Sequence, residues 1–269
     1  MIAPPLPPAP ASMSIQVIRH EGDIVELQMA RAPVNALDPT LCDALEKAIA
    51  QAMADGAKGL VLSGNPKVFS AGLDVPHLLS LGEDRAALTA AWETFFSAAR
   101  ALAASPVPVV AAMAGHAPAG GCVLALCCDY RVMGISPDPA KPLRIGLNET
   151  QVGLVAPEGI QHLMRRAVGM HRAEVLLVTG ELVDAGRAQA IGLVDELAAP
   201  EEVPARAVAW RSALLQLPRE PVLRTRQIAR ADLVEALAPE RIQLPKFIDA
   251  WTAPDTQAGL KALVARLGK

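Results

Sequence analysis

The stretch AGHAPAGGCVLALCCDYRV, residues 114–132, contains a complete turn from one structural element to the next. It overlaps the end of an apolar run, residues 107–115, that is typical of a buried strand. A proline- and glycine-rich turn then leads into a helix pattern at 120–128, and a second strand pattern follows at 129–133. A helix that begins at Gly120 presents unpaired N–H groups, and glycines give a polarised oxygen access to them. A glycine turn that packs a buried helix against a sheet explains the same residues, so both interpretations stay open.

Strand patterns alternate with helix patterns on the N-terminal side of this unit. The helix pattern at residues 35–56 has Asp38 at its predicted N-cap position and Pro39 at its first position. Further strand patterns lie at 15–19, 24–30 and 59–64, a helix pattern lies at 84–104, and seven more helix patterns follow at 157–168, 171–179, 184–191, 200–216, 220–237, 240–252 and 255–267. The sequence therefore predicts an α/β core of roughly 155 residues with a mainly parallel sheet, followed by an all-helical portion.

The composition is that of an ordinary globular protein. The 269 residues are 52 % hydrophobic and 20 % charged. The net charge of −3 and the pI near 6.0 give no basic surface for nucleic acid or for an anionic membrane. No apolar run reaches the ~18 residues of a spanning helix. The cysteines lack the spacing of zinc ligands, which predicts buried thiols in a cytoplasmic protein. They are Cys42, Cys122, Cys127 and Cys128.

The first residues of the chain, 1–13, form a segment of different composition. They contain five prolines and neither Lys nor Arg. This composition predicts a disordered lead-in rather than a signal or transit peptide, and Met1 and Met13 are both possible starts.

Two further loops carry candidate chemistry. In VFSAGLDV, residues 68–75, small side chains let a ligand or another backbone approach closely, although a tight turn with Asp74 as a helix cap explains the same pattern. In RIGLNETQVGLVAPEG, residues 144–159, Glu149 lies in mostly apolar surroundings. Taken alone, this Glu is typical of the first turn of a short helix that Asn148 caps.

The three segments together indicate more than each does alone. Two loops offer backbone N–H groups, and the third supplies a carboxylate. A carbonyl held by two such donors is stabilised when negative charge develops on its oxygen. A Glu in apolar surroundings has a raised pKa, which suits a base that takes and returns a proton. The combination predicts enolate formation next to a thioester carbonyl.

At these residues the sequence resembles the crotonase (enoyl-CoA hydratase/isomerase) superfamily. FSAGLDV and AGHAPAGGCVLALCCDYRV match its two oxyanion-hole segments, and TGELVDAGRAQAIGLVDEL, residues 179–197, matches the helical stretch that follows. The resemblance implies a β-β-α spiral core at 14–200 and a C-terminal helical region at 201–269 that builds trimers, either single or paired into hexamers. It also implies CoA thioester substrates and no separate cofactor.

The resemblance also assigns roles to single residues. It makes the backbone N–H groups of Ala71 and Gly120 the donors of an oxyanion hole. Two-carboxylate hydratases carry one Glu where this chain has Val123, and Val cannot position or deprotonate a water. Their second Glu corresponds to Glu149, which is present. The residues implied along the path of the substrate are Ala71, Gly72, Leu73, Asp74, Val75, Gly120 and Val123, and no metal ligand is implied.

A single carboxylate without a water partner favours an isomerase. GLNETQVGLVAP, PAGGC and CDYR closely resemble the mitochondrial-type Δ3,Δ2-enoyl-CoA isomerases. The implied reaction belongs to fatty acid β-oxidation: Glu149 removes a proton from C2 of a 3-enoyl-CoA and returns it at C4, which gives the 2-trans-enoyl-CoA.

Several alternatives stay open at this point. A peroxisomal branch of these isomerases uses a Glu near the position of Glu158, but here that residue is one place further along and is expected to cap the following helix. The protein as a whole is alternatively a hydratase, an isomerase of an aromatic or cyclic acyl-CoA, or a CoA-binding protein without turnover.

Five other side chains have a structural and a functional interpretation. His116 is expected to be structural, with a position in the lining of the acyl pocket as the alternative. Arg31 and Lys67 are expected to be solvated charges, with contacts to CoA phosphates as the alternative. Phe247 and Trp251 fit core packing, a subunit contact or the wall of an acyl pocket.

Overall fold

The structure, a computed structural model, describes residues 14–267, so the predicted lead-in at 1–13 lies outside the described residues. The strands in this range are β1 Ile15–His20, β2 Ile24–Met29, β3 Gly59–Ser63, β4 Val109–Met113, β5 Ala117–Pro118, β6 Tyr130–Gly134, β7 Arg144–Gly146, β8 Val183–Asp184 and β9 Glu196–Ala198. The helices are α1 Pro39–Ala54, α2 Val75–Ser80, α3 Arg85–Ala103, α4 Gly120–Leu126, α5 Glu158–Val168, α6 Met170–Thr179, α7 Ala185–Ala190, α8 Val203–Leu214, α9 Arg219–Ala229, α10 Ala231–Ala236, α11 Pro239–Ile242, α12 Leu244–Trp251 and α13 Pro254–Leu267, with a 3₁₀ helix at Glu149–Val152.

Six strands form the central sheet in the order β1-β2-β3-β4-β6-β9. Only the β1–β2 hairpin is antiparallel, and every other pair is parallel, as the alternating pattern predicted. Every residue of β3 and β4 is buried, because helices cover both faces of a parallel sheet. The predicted helix cap at α1 is also confirmed, since the Asp38 carboxylate accepts a hydrogen bond from the Leu41 N–H at 2.8 Å.

A second sheet of three short strands, in the order β5-β7-β8, was not predicted. Ala117 and Pro118 in β5 pair in parallel with Ile145 and Gly146 in β7. Strands of two or three residues are too short for a period-two pattern to be visible in the sequence. This sheet matters for the site, because β5 ends just before Gly120 and β7 ends just before Glu149.

The prediction that the chain is all helical after residue 157 is wrong at two places. β8 joins the small sheet, and β9 pairs in parallel with β6 and forms an edge of the central sheet. The predicted helix at 220–237 is divided at Arg230, and that at 240–252 is divided at Gln243, where φ is +49°. Among the described residues, no helix is long and apolar enough to cross a membrane.

Two arginines of the C-terminal helices are anchored to one carboxylate of the core. Asp129 lies just before β6, and both of its oxygens accept hydrogen bonds from Arg226 of α9, at 2.7 and 2.9 Å. Arg230 lies 3.2 Å from the same carboxylate. All three side chains are about nine-tenths buried, so the negative charge of Asp129 is needed to balance positive charge that water cannot solvate.

We expect Asp129→Asn to lower the free energy of unfolding by about 3–5 kcal/mol, because it leaves two buried guanidinium groups without a counter-charge. Urea denaturation measures this difference. The matched control is Asp43→Asn, since Asp43 makes an exposed ion pair with Lys47 on α1, and we expect it to cost about 0.5 kcal/mol or less. Equal effects of the two substitutions would contradict the anchoring role.

Candidate active site

A cavity of about 300 Å³ opens where the predicted loops meet. Its walls are overwhelmingly apolar, which is typical of a site for a small-molecule ligand. Within the part of the chain that the structure describes, the polar side chains of its lining are the carboxyl group of Glu149, the amide of Asn148 and two indoles. The lining residues are Ala71, Leu73, Val75, Trp92, Phe95, Phe96, Pro118, Ala119, Gly120, Val123, Asn148, Glu149, Val152, Leu154, Ala156, Pro157, Ile160, Leu182, Phe247, Trp251, Leu260 and Leu263.

The first predicted loop reaches the cavity, but its free amide is not the predicted one. The N–H of Ala71 donates to the Val34 carbonyl at 3.0 Å, so the predicted use of this group as an oxyanion donor is wrong. The Gly72 N–H donates to Ser70 Oγ at 3.2 Å. The N–H of Leu73 has no acceptor among residues 14–267. Ala71, Leu73 and Val75 are the residues of this loop that line the cavity, and of these three Leu73 is the one whose amide is available to a ligand.

Ser70 fixes the conformation of this loop through its hydrogen bonds. Its side chain is completely buried, and its hydroxyl donates to the Asn35 carbonyl at 2.8 Å while it accepts from Gly72. Asn35, also buried, donates to the Phe69 carbonyl at 3.0 Å. The polar groups of these two side chains are used inside the fold, so their role is to fix the backbone around Leu73.

The second predicted loop packs directly against the first. A Cβ atom at Gly72 would lie 3.0 Å from the Cβ of Ala119 and 3.2 Å from the nitrogen of Gly120, and φ of Gly72 is +86°. A Cβ at Gly120 would lie 2.7 Å from the side chain of Leu73. Such distances are shorter than van der Waals contact, so the two backbones approach this closely only because both positions are glycine.

Gly120, as the first residue of α4, keeps its N–H free. This N–H has no acceptor within the described part of the chain. The preceding Ala119 has φ +48° and ψ −121°, a conformation that costs a residue with a Cβ of order 1–3 kcal/mol. Its own N–H is held by the Gly146 carbonyl at 2.8 Å. The small sheet thus holds Ala119 in the strained conformation that fixes the direction of the Gly120 amide.

Glu149 is the acidic residue of the cavity wall. It begins the 3₁₀ helix directly after β7, and the pairing of β7 with β5 brings it to the same cavity as Gly120. Burial raises the pKa of its carboxyl to about 7, and the hydrogen bond from its own backbone N–H offsets this only in part. The predicted position in a first turn and the predicted raised pKa are both confirmed. Asn148 occupies the N-cap position but makes no capping hydrogen bond with its side chain.

Glu158, the alternative base, lies in a different environment. It does not line this cavity, and its carboxylate binds Arg165 at 3.0 Å and Arg241 at 2.7 Å. Partial burial alone would raise its pKa, but the hydrogen bonds from Arg241 and Arg165 outweigh burial and lower it. It starts α5 without a capping hydrogen bond, so the expected capping role is wrong.

Aromatic side chains form one part of the cavity wall. Trp92 packs edge-to-face against Phe247 with ring centroids 4.5 Å apart and against Trp251 at 5.5 Å. Phe95 and Phe96 continue this wall along α3. The structure therefore assigns Phe247 and Trp251 to the pocket. The sequence analysis missed the other three aromatic residues of this wall, and their spacing on one face of a helix was the signal that could have identified them. They are Trp92, Phe95 and Phe96.

The remaining candidates lie outside the cavity. His116 is structural, since its Nδ1 accepts from the Arg144 N–H at 3.1 Å, and burial followed by the nearby Arg144 charge lowers its pKa. Arg31 is bound by the carboxylates of Asp38 and Asp74, so its charge serves two helix caps. Lys67 is exposed. All four cysteines are buried and free, as predicted.

Comparisons with known proteins give one consistent family. A family model described as enoyl-CoA hydratase/isomerase matches residues 19–264. A probable enoyl-CoA hydratase of Mycobacterium tuberculosis is 31 % identical over 237 residues, which are 87 % of each chain. The mitochondrial enoyl-CoA delta isomerase 1 of Homo sapiens is 28 % identical over 247 residues, 91 % of this chain and 80 % of that protein. The crystal structure of human mitochondrial delta3-delta2-enoyl-CoA isomerase matches with a TM-score of 0.87 and 27 % identity, and covers 95 % of this chain and 98 % of that one.

The burial of Glu149 predicts an unusual dependence of stability on pH. Between pH 4.5, where an ordinary Glu titrates, and about 7, the folded protein keeps a proton that the unfolded chain has lost. Stability therefore falls as the pH rises through this range. At pH values above 7 we expect Glu149→Gln to raise the free energy of unfolding by on the order of 1–3 kcal/mol, with a smaller difference in acid, as measured by urea denaturation.

Glu158→Gln is the control with the opposite sign. Because two arginines lower the pKa of Glu158, its charge stabilises the fold near neutral pH, and its removal should not increase stability there. A gain in stability from Glu158→Gln, or none from Glu149→Gln, would contradict the assigned environments.

Proposed function

The chain belongs to the enoyl-CoA hydratase/isomerase family, and on that premise we propose that it is a Δ3,Δ2-enoyl-CoA isomerase of fatty acid β-oxidation. One observation carries this proposal: among the described residues, Glu149 is the only carboxylate that lines the cavity, and the position predicted for a second one holds the buried, apolar Val123. Family membership and the α/β fold with its central sheet match the sequence-based prediction.

The two free amides account for the first half of the chemistry. The thioester carbonyl accepts hydrogen bonds from the N–H groups of Leu73 and Gly120, two residues of the cavity lining whose amides have no acceptor among residues 14–267. When the proton at C2 leaves, the electron pair of that C–H bond moves towards the carbonyl and the oxygen becomes negative. Fixed donors in a cavity with an apolar lining stabilise this charge, and each is typically worth about 3 kcal/mol.

Glu149 accounts for the second half. As a carboxylate it takes the proton from C2, and the double bond between C3 and C4 shifts to C2 and C3 when the protonated carboxyl returns a proton to C4. The reaction is an isomerisation, so no atom is gained or lost. Because Glu149 and the two amides account for every bond change, the proposal needs neither a cofactor nor a metal ion.

Val123 separates this proposal from hydration. A hydratase has to hold and deprotonate a water molecule, for which a second polar side chain is needed next to the first carboxylate. Val123 offers no hydrogen-bonding group, and the surrounding lining is apolar. The relatives include both a probable hydratase and isomerases, so Val123 is the residue that favours isomerisation in this chain.

The assembly and location follow from the same proposal. We expect the helical region at 201–269 to build a homotrimer, with pairs of trimers as a further possibility, and we expect the protein to work in the cytoplasm. Light scattering on the purified protein measures the first of these.

We expect Glu149→Gln to lower kcat for the conversion of 3-enoyl-CoA to 2-enoyl-CoA by about 10²–10⁴-fold, because the amide cannot accept the proton. The absorbance of the conjugated thioester follows the reaction. Glu158→Gln is the matched control and should keep most of the activity, since Glu158 is paired with two arginines outside the cavity.

Two results would contradict the proposal. If Glu158→Gln abolished activity and Glu149→Gln did not, the base would be the wrong residue. If the wild-type protein hydrated 2-enoyl-CoA as fast as it isomerised 3-enoyl-CoA, the role given to Val123 would be wrong.

The donor of the first loop is tested by replacing one amide with an ester. Incorporation of the hydroxy-acid analogue of leucine at Leu73 removes only its N–H, and we expect kcat to fall about 10²–10³-fold. The same exchange at Ala71 removes the hydrogen bond to Val34 and should weaken the fold more than the chemistry. A larger loss of kcat at Ala71 would restore the prediction made from the sequence.

A further inference from the structure

The active-site cavity shares part of its wall with a second cavity of about 280 Å³. Three residues line both cavities, namely Ala156, Pro157 and Phe247. Of these, only Phe247 has a large side chain, so its ring is the main barrier between the two spaces.

Packing holds the Phe247 ring in that position. The side chain is 6 % exposed, and its ring lies edge-to-face on Trp92 at 4.5 Å and on Phe96 at 6.5 Å. It belongs to α12, which presents Phe247 and Trp251, one helical turn apart, to the active-site cavity. The barrier is therefore a fixed part of the fold.

The two cavities differ in polarity. The active-site cavity is apolar from Val123 to the aromatic rings. The outer cavity has a mixed lining, in which six apolar residues lie beside Glu158, Gln161, Arg241, Gln243 and the exposed Lys246. Because Phe247 is the large side chain that both cavities share, an alkyl chain would pass from the apolar cavity into the more polar one only past its ring.

We propose that Phe247 sets the limit on acyl chain length, and that the outer cavity becomes a binding subsite for the distal part of a longer acyl chain when this ring is removed. The inference rests on the proposed function, because it assumes that the acyl group of a CoA thioester lies in the active-site cavity. It makes the natural substrate an acyl-CoA whose chain ends at the aromatic wall.

Binding of saturated acyl-CoAs measures this limit without any reaction. Each additional methylene that is buried tightens binding by about fourfold, whereas a methylene that stays in water adds almost nothing. For the wild-type protein, a plot of log Kd against chain length should therefore fall steeply and then become flat. We call this change of slope the break, and it should occur at the chain length that reaches Phe247. Calorimetric titration with the even-numbered series from butanoyl-CoA to hexadecanoyl-CoA, below the micelle concentration, locates this break.

In Phe247→Ala the break should move to longer chains, so that affinity for the longest members rises about tenfold or more relative to wild type. The matched control is Phe95→Ala, which removes the same atoms from the active-site cavity but from a residue that does not line the outer one. It should move the break by less than the Phe247 variant does. Phe247→Leu and Phe95→Leu are the milder pair if the alanine variants do not fold.

The possible outcomes are distinct. A wild-type series without a break, or an equal shift in both variants, would overturn the role of Phe247 even if isomerase activity is present. Failure of every acyl-CoA to bind would instead overturn the proposed function itself. A break that moves only in the Phe247 variants supports the inference.

Discussion

The contact between two backbones at Gly72 and Gly120 is the constraint on which the rest of the site depends. No side chain fits between these two glycines. The amide of Leu73, which follows Gly72, and the amide of Gly120 itself have no acceptor among the described residues. The central sheet makes this contact possible. β3 and β4 are parallel neighbours, so the loops that leave their carboxyl ends emerge at the same edge. A bridge between Val68 and His116 then keeps the loops side by side.

The second requirement, a base with a raised pKa, conflicts with stability. An apolar cavity around Glu149 disfavours its charged form. Glu149 therefore lowers the free energy of unfolding most at the pH where its carboxylate form is needed. Glu158 shows the opposite solution nine residues later in the same segment. Two arginines and greater exposure favour its charge, which stabilises the surface but makes it a weaker base. Environment rather than residue type separates the two roles.

The sequence contained most of the fold and part of the site. The alternation of strands and helices, the Asp38 cap and the raised pKa of Glu149 were predictable, because each depends on neighbours in the chain or on local apolarity. The strands β5, β7, β8 and β9 were not, since two or three residues show no periodicity. The choice of Leu73 over Ala71 was also out of reach. It depends on a hydrogen bond to Val34, far away in sequence, and on the positive φ of Gly72.

Val123 links the pKa of Glu149 to the type of reaction. Residues 14–267 place no second carboxylate in the cavity lining, so burial is the main influence on Glu149, and its pKa lies at about 7. At neutral pH both protonation states are then populated. An isomerase needs both in turn, since the carboxylate removes one proton and the carboxylic acid returns one, and a pKa near the working pH balances the two steps. A polar residue at 123 would admit water and shift this balance. The apolar side chain therefore excludes a competing nucleophile and also helps to keep the base suited to transfer in both directions.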